Sequence, residues 1–187
     1  SGVVDDGVGT YSLTIQDGGN LVLSANNTYG GNTIIGSGTT LTLGSGGKTG
    51  ALASPQVVNS GVLAFQRTDT TASPFVFNPL ITGAGSVQVK SGAVQFTSNQ
   101  LYTGGTTIDA GGTLIIGDGA LSGSVIGDIL DNGALWYRRS GKNPVIIDAT
   151  ITGTGTVDFK DTATYRLIRA NNWSGVTTID SGATVEV

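Results

Sequence analysis

The 187 residues contain no cysteine, no histidine and no methionine, and a single glutamate, Glu186. Without cysteine there is no disulfide framework, thiolate metal site or cysteine nucleophile. Without histidine, the commonest general base and the commonest metal ligand are also gone. Charge is sparse: charged residues make up 12% of the chain, the net charge is −4 and the pI is about 4.5. That balance argues against nucleic acid as a main partner, because a phosphate backbone demands clustered cations. Arg138-Arg139 with Lys142 is the one cationic cluster, and its plain reading is solvated surface. No run of about 18 apolar residues exists to span a bilayer, so this segment is not expected to insert in a membrane. No charged-then-apolar leader opens the chain.

What the chain does have is glycine, 31 residues of it, set among Thr, Val, Ile and Leu. That usage favours strands broken by frequent tight corners. A mean hydropathy of +0.14 is too high for a disordered linker. One block is written almost three times. It appears as Asn27-Thr28-Tyr29-Gly30-Gly31-Asn32-Thr33-Ile34 followed by Gly38–Leu43, and as Leu101-Tyr102-Thr103-Gly104-Gly105-Thr106-Thr107-Ile108 followed by Gly111–Ile116. It returns as Asn172-Trp173-Ser174-Gly175-Val176-Thr177-Thr178-Ile179 followed by Gly182–Val187. The copies define internal supermodules at about 7–82, 83–152 and 153–187, the last one truncated, within a single domain spanning 1–187. The chain starts at Ser1 and stops inside the third copy, which reads as a piece of something longer.

A finer beat runs inside each copy. Apolar-x-apolar pairs fall at Leu21/Leu23, Leu41/Leu43, Leu63/Phe65 and Val87/Val89, and again at Val94/Phe96, Leu114/Ile116, Leu135/Tyr137 and Val157/Phe159. Period two puts both members of a pair on one face of a strand. Gly, Asn and Asp corners separate the pairs, and no stretch carries a helical stripe. Sandwiches and barrels need locally paired hairpins. A beat of about 20–24 residues instead predicts a parallel β-helix of three short strands per rung, with about three rungs per copy and a rod roughly 40 Å long.

The run Leu21–Gly44 has the form Leu-x-Leu-Ser-x-x-Asn-Thr-Tyr-x-Gly-x-Thr-x-Ile-x-x-Gly-x-x-Leu-x-Leu-Gly. It resembles the passenger-associated transport repeat of autotransporters. Leu101–Gly117 matches nearly as well, and Trp173–Val187 less so, with Trp173 in place of the Tyr. The resemblance implies a right-handed parallel β-helix secreted through its own C-terminal outer-membrane β-barrel. The stretch Arg67–Pro74 is an insertion with no assigned place.

Candidate chemistry is thin. The Asp128/Asp131 and Asp158/Asp161 pairs, with Asp109 and Asp180, are the carboxylates available for glycoside cleavage. Asp109 and Asp180 echo each other in the repeat, as corner-capping residues do. Asp128–Gly133 places oxygens near a Gly turn but offers too few for calcium. Gly44–Thr49 lacks the spacing of a phosphate loop. No catalytic residue, metal or cofactor is therefore expected.

The candidate contact surface is aromatic and cationic. Tyr29, Tyr102 and Trp173 share one repeat position and would form a spaced line on one face, or else cover the bare backbone of their Gly corners. Trp136-Tyr137 lies in a strand, so one ring points inward, and Arg138-Arg139 beside the outward ring completes the best candidate patch. Ladders of Thr, Ser and Asn on the outer faces suit either self-association or simple wetting.

These readings, with the family resemblance, lead to the expectation of a rigid adhesive stalk on the surface of a Gram-negative bacterium. Its partners would be a host receptor or glycan, or an identical passenger on another cell. A polysaccharide-binding or polysaccharide-cleaving β-helix is the alternative.

Overall fold

Residues 2–187 are described by a computed structural model. Among them the chain forms twenty strands and no helix. Every strand pairing is parallel, the arrangement demanded when each strand meets its counterpart one turn later. The chain winds as a β-solenoid of about nine turns.

The apolar beat sets the register. Leu21 pairs with Leu41, Leu41 with Leu63, and Leu63 with Val87. Along the same ladder Val87 pairs with Thr106, Thr106 with Ile129 and Ile129 with Ile151. A second ladder runs Phe75, Val94, Leu114, Leu135, Val157 and Thr177. The shortest step on the first ladder, Val87 to Thr106, is 19 residues, and the longest, Leu63 to Val87, is 24. A third side carries Leu13–Ile15, Thr33–Ile35, Gln56–Asn59, Leu80–Gly83 and Leu101–Tyr102. Further along the coil, Val145–Ile147, Thr164–Leu167 and Thr184–Glu186 form a separate three-stranded sheet.

Both members of every pair after Leu21/Leu23 are buried, and they stack through the axis. Leu41, Leu63, Val87, Ile108, Leu114, Leu135 and Val157 are all shielded from solvent. Two aromatic clusters thicken this column. Phe65 meets Phe77 edge-on at 5.1 Å and Phe96 at 6.1 Å, and further along Tyr137 stacks on Phe159 at 5.6 Å. Such pairs add to the burial of their own area.

The supermodule and the turn do not coincide. Three turns from Leu41 lead through Leu63 and Val87 to Thr106. The repeat counterpart of Leu41 is Leu114, which lies beyond Thr106 on the next ladder. Each copy is thus three turns and about a third, not three, and repeat-equivalent residues move to the neighbouring side of the solenoid. Tyr102 lies on the side that begins with Leu13–Ile15. Trp173 is in register with Gly153 on the ladder of Ile151. Tyr29 sits on the remaining side, between Asn20–Leu23 and Thr33–Ile35. The three aromatics form no line on one face.

The insertion Arg67–Pro74 also finds its place. It is a corner excursion closed by an antiparallel bridge between Thr70 and Ser73. Arg67 is almost wholly buried beneath it. Its guanidinium donates to Asp69 Oδ2 at 2.7 Å, to Thr49 O at 2.9 Å and to Lys48 O at 2.6 Å, and lies 3.6 Å from the centroid of the Phe75 ring.

Phe96 joins the aromatic cluster between two ladders with no exposed surface. Phe96→Ala is expected to lower unfolding free energy by about 3–5 kcal/mol, as large-to-small core changes do. Urea denaturation measures the loss, and a cost below about 1 kcal/mol would show the axis to be loosely packed.

Candidate contact surface

The strands Thr106–Ile116, Ala134–Arg139 and Thr156–Asp161 lie side by side. Alternation sends Leu114, Leu135 and Val157 inward, so Ile115, Trp136 and Asp158, which pair in register, face out. Ile115 nonetheless has only 1% of its surface exposed. Its ladder neighbours Gln95 and Trp136 are large enough to roof it over. Gln95 is held in place by donating from Nε2 to Gly117 O at 2.8 Å. Trp136 is half-buried, with the Lys160 ammonium 4.4 Å from its ring centroid, a cation–π contact. Arg138 faces Asp161 at 3.4 Å, with both side chains about a third exposed. The outside of these strands therefore presents one indole flanked by two cations and two carboxylates.

The other candidates are placed differently. Tyr137 points inward, 4% exposed, onto Phe159, and burial raises its phenol well above the ordinary range. Tyr29 and Tyr102 are 2% and 0% exposed. Their hydroxyls bond to Thr33 and Thr106 Oγ1 at 2.7 and 2.6 Å. Trp173 repeats the arrangement, donating from Nε1 to Thr177 Oγ1 at 2.9 Å, and is half-buried. An aromatic and the Thr four residues on thus form one clasp, its hydrogen bond buried at Tyr29 and Tyr102 and exposed at Trp173, which accounts for the Thr of the motif. Tyr29, Tyr102 and Tyr137 have no surface to offer a partner, so the contact role fails for them.

Arg139 is also more engaged than a solvated cation. It donates from Nη1 to Gly123 O at 2.6 Å and from Nη2 to Leu121 O, and burial draws its guanidinium below the ordinary value. Arg67 grips the corresponding loop of the first copy in the same way. The sequence signal was there: each Arg follows a Leu-x-aromatic-x strand, at Leu63–Arg67 and Leu135–Arg139. Gly44 and Gly117 make room for these side chains. They take φ of +88° and +90°, and an added Cβ would press on Arg67 or Arg139 and on the neighbouring backbone.

Three of the candidate carboxylates are engaged one by one. Asp109 accepts from Gln88 Nε2 at 2.9 Å, Asp180 faces Lys160 at 3.6 Å, and Asp128 accepts from Thr150 N at 2.9 Å. Among the described residues, no group of three or more His, Cys, Asp or Glu is placed to hold a metal ion. No helix among the described residues is long and apolar enough to cross a membrane.

No protein-family model matches the chain, and no solved structure matches it. The adhesin BmaC autotransporter of Brucella suis biovar 1 (strain 1330) is 33% identical to it, over 80% of this chain. The chain spans 5% of that relative's length. The chain is a β-solenoid similar in sequence to part of an autotransporter adhesin.

One buried group in the solenoid stands apart from the contact surface. Asn59 and Asp131 hold the same repeat position, and both are fully buried. Asn59 Oδ1 accepts from Gly61 N at 3.1 Å while its Nδ2 donates to Ser86 O at 2.8 Å. Asp131 Oδ1 accepts from Gly133 N at 3.0 Å, but its Oδ2 has no partner. Gly85 and Gly155 pack so closely on these side chains that neither site has room for a Cβ. Burial pushes the Asp131 carboxyl up to about 6, against the opposing pull of the Gly133 N–H.

The direction of the linkage follows. The native state holds this proton more tightly than the unfolded chain, where an Asp titrates near about 4. The stability it contributes is full below about pH 4 and is lost as pH rises through about 6. Asp131→Asn restores the donor that Asn59 has. It is expected to raise stability at pH 7 by about 1–3 kcal/mol and to flatten the decline between pH 4 and 6. Urea denaturation across that range is the measurement, and an unchanged slope in the variant would remove Asp131 as the cause.

Proposed function

We propose that this solenoid is a non-enzymatic, rigid adhesive stalk, exposed on the surface of a Gram-negative cell as part of an autotransporter passenger. The similarity to an autotransporter adhesin carries the reading. The fold supports it mechanically. A coil whose every turn hydrogen-bonds to the next resists bending and presents its outer faces at a distance from its base.

The partners in this reading are a host receptor or glycan, or the same passenger on another cell, and the chain's translocator is a C-terminal β-barrel. Each rung that stacks outside the membrane adds favourable contacts, so stepwise folding biases export outward. The absence of cysteine suits threading, because no disulfide can form in the periplasm to block it.

The binding surface we assign to the stalk centres on Trp136, with Arg138 and Lys160 beside it. An indole held half-open against a cation is the type of anchor that dominates interfaces, and it also offers a face on which a sugar ring can stack. The aromatic face gives polysaccharide binding a foothold within the same reading. Cleavage gains no comparable support: of the two carboxylates beside Trp136, Asp161 faces Arg138, which leaves Asp158 alone.

Beads coated with this chain test the proposal. Coated beads are expected to attach to host cells, to one another, or to both. Combining Trp136→Ala with Arg138→Gln is expected to reduce attachment about five- to thirtyfold, the effect of losing one anchoring side chain. Clumping without host cells separates self-association from host binding. Full attachment by the double variant would move the adhesive surface elsewhere, and no attachment by the parent chain would overturn the stalk reading for this segment.

A further inference from the structure

The first and second copies build the same buried corner with different chemistry. In the first, Asn59 accepts from Gly61 N on its Oδ1 at 3.1 Å and donates from Nδ2 to Ser86 O at 2.8 Å. In the second, Asp131 accepts from Gly133 N on Oδ1 at 3.0 Å. The backbone around the two side chains matches bond for bond. Gly85 N donates to Asn59 O and Gly155 N to Asp131 O, both at 2.8 Å. Ser86 N donates to Gly61 O at 2.9 Å, and Thr156 N to Gly133 O at 3.0 Å. Val62 pairs with Ser86 as Ala134 pairs with Thr156. The counterpart of Ser86 O is therefore Thr156 O.

That counterpart is an acceptor, and Asp131 has a hydrogen to give it only while its carboxyl is protonated. Ionised, Oδ2 is a buried acceptor without a donor. Gly155 lies directly against it, where even a Cβ would strike both carboxyl oxygens. Asp131 enters no ion pair among the described residues. The surrounding elements leave its charge uncompensated. The corner Gly153–Gly155 carries no titratable group. Thr106–Ile116 carries Asp109, which is engaged with Gln88, and Leu101–Tyr102 carries Tyr102, bonded to Thr106. Ala134–Arg139 carries Tyr137, whose phenol burial keeps protonated, with Arg138 and Arg139, which hold Asp161 and two loop carbonyls. Thr156–Asp161 carries Asp158, facing out, Lys160, which faces Asp180, and Asp161. Asp128, before the strand of Asp131 itself, accepts from Thr150 N.

We propose that the Asp131 carboxyl is a proton-operated latch, which when protonated donates to Thr156 O and ties the start of strand Thr156–Asp161 to the turn before it. Ionisation removes that bond and sets a carboxylate against a carbonyl. The corner Gly153–Thr156 then opens to bring water to the charge, because a buried carboxylate without donors is costly. Asn59 is the same latch fixed shut. Since burial raises the Asp131 carboxyl to about 6, the latch is closed in acid and opens as pH rises through that value. The strand it releases also holds Lys160 against the Trp136 ring. Attachment through the Trp136 surface therefore weakens as the corner opens, a consequence that rests on the contact surface proposed above.

Amide hydrogen exchange of the ¹⁵N-labelled chain at about pH 5 and about pH 7, corrected for base catalysis of the intrinsic rate, is the test. Protection of Gly155 and Thr156 is expected to fall about tenfold between the two, the ratio for an acid titrating near about 6 when closed and near about 4 when hydrated. Gly85 and Ser86, over Asn59, are expected to stay level. Asp131→Asn is expected to abolish the pH dependence at Gly155 and Thr156, and Asn59→Asp to create it at Gly85 and Ser86. If Asn59→Asp fails to fold, the Asp131 variant decides. Equal pH dependence at the two corners, its survival in Asp131→Asn, or a loss of protection shared evenly along every ladder overturns the latch. Coated beads read adhesion separately. Beads that attach equally at both pH values while the corner opens overturn the coupling to the contact surface alone, and beads that never attach overturn the stalk and leave the latch.

Discussion

Everything in this molecule hangs on the parallel backbone ladder between one turn and the next. A single rung of some twenty residues encloses almost nothing and leaves both its strand edges unpaired. Stacked at the strand spacing of about 4.8 Å, the same rung gains a hydrogen-bonded partner above and below and a continuous apolar column through its centre. The ladder dictates which residues must be alike. Leu41 can sit on Leu63 only because the corners between them absorb the change in loop length without shifting register. Long excursions such as Arg67–Pro74 are tolerated for the same reason, provided that something closes them at the base.

Two arginines brace the wide corners of the turn before their own. Arg67 and Arg139 each turn back from the end of a strand to bind carbonyls in the loop of the preceding turn. Carbonyls freed from the ladder at a wide corner would otherwise need other partners. The aromatic–Thr clasp serves the Gly corners in a comparable way, at Tyr29–Thr33, Tyr102–Thr106 and Trp173–Thr177. The residues that make the repeat recognisable are therefore largely devoted to holding corners shut. The outward positions between them, as at the half-buried Trp136, are not tied into corners.

The architecture was legible in the sequence to an unusual depth because period two and a twenty-odd residue beat are both geometric requirements of the coil. The pairs Leu21/Leu23 through Val157/Phe159 anticipate observed register partners one by one. The site was far less legible. A half-buried Trp136 and a fully buried Tyr102 are both aromatics beside polar residues in sequence, and only the third dimension separates them. Arg139 reads as surface in the sequence because its partners, Gly123 and Leu121, are backbone carbonyls, which sequence does not distinguish from any others. The burial of Asp131 is hidden in the sequence because its counterpart, Asn59, makes the same position look like an ordinary corner. Tyr29, Tyr102 and Trp173 do not align on one face because each copy adds about a third of a turn to three whole ones.

That extra third acts as a screw operation built into the gene. Duplicating the unit translates it along the axis and rotates it by about a third of a revolution, so every feature the unit encodes follows a helical path. Three successive copies bring it back to its starting azimuth. A filament assembled from such units would offer the same chemistry in every direction around its circumference, and would have no dedicated front or back. Lengthening by duplication would then add reach and orientations together, with no new sequence to be invented for either.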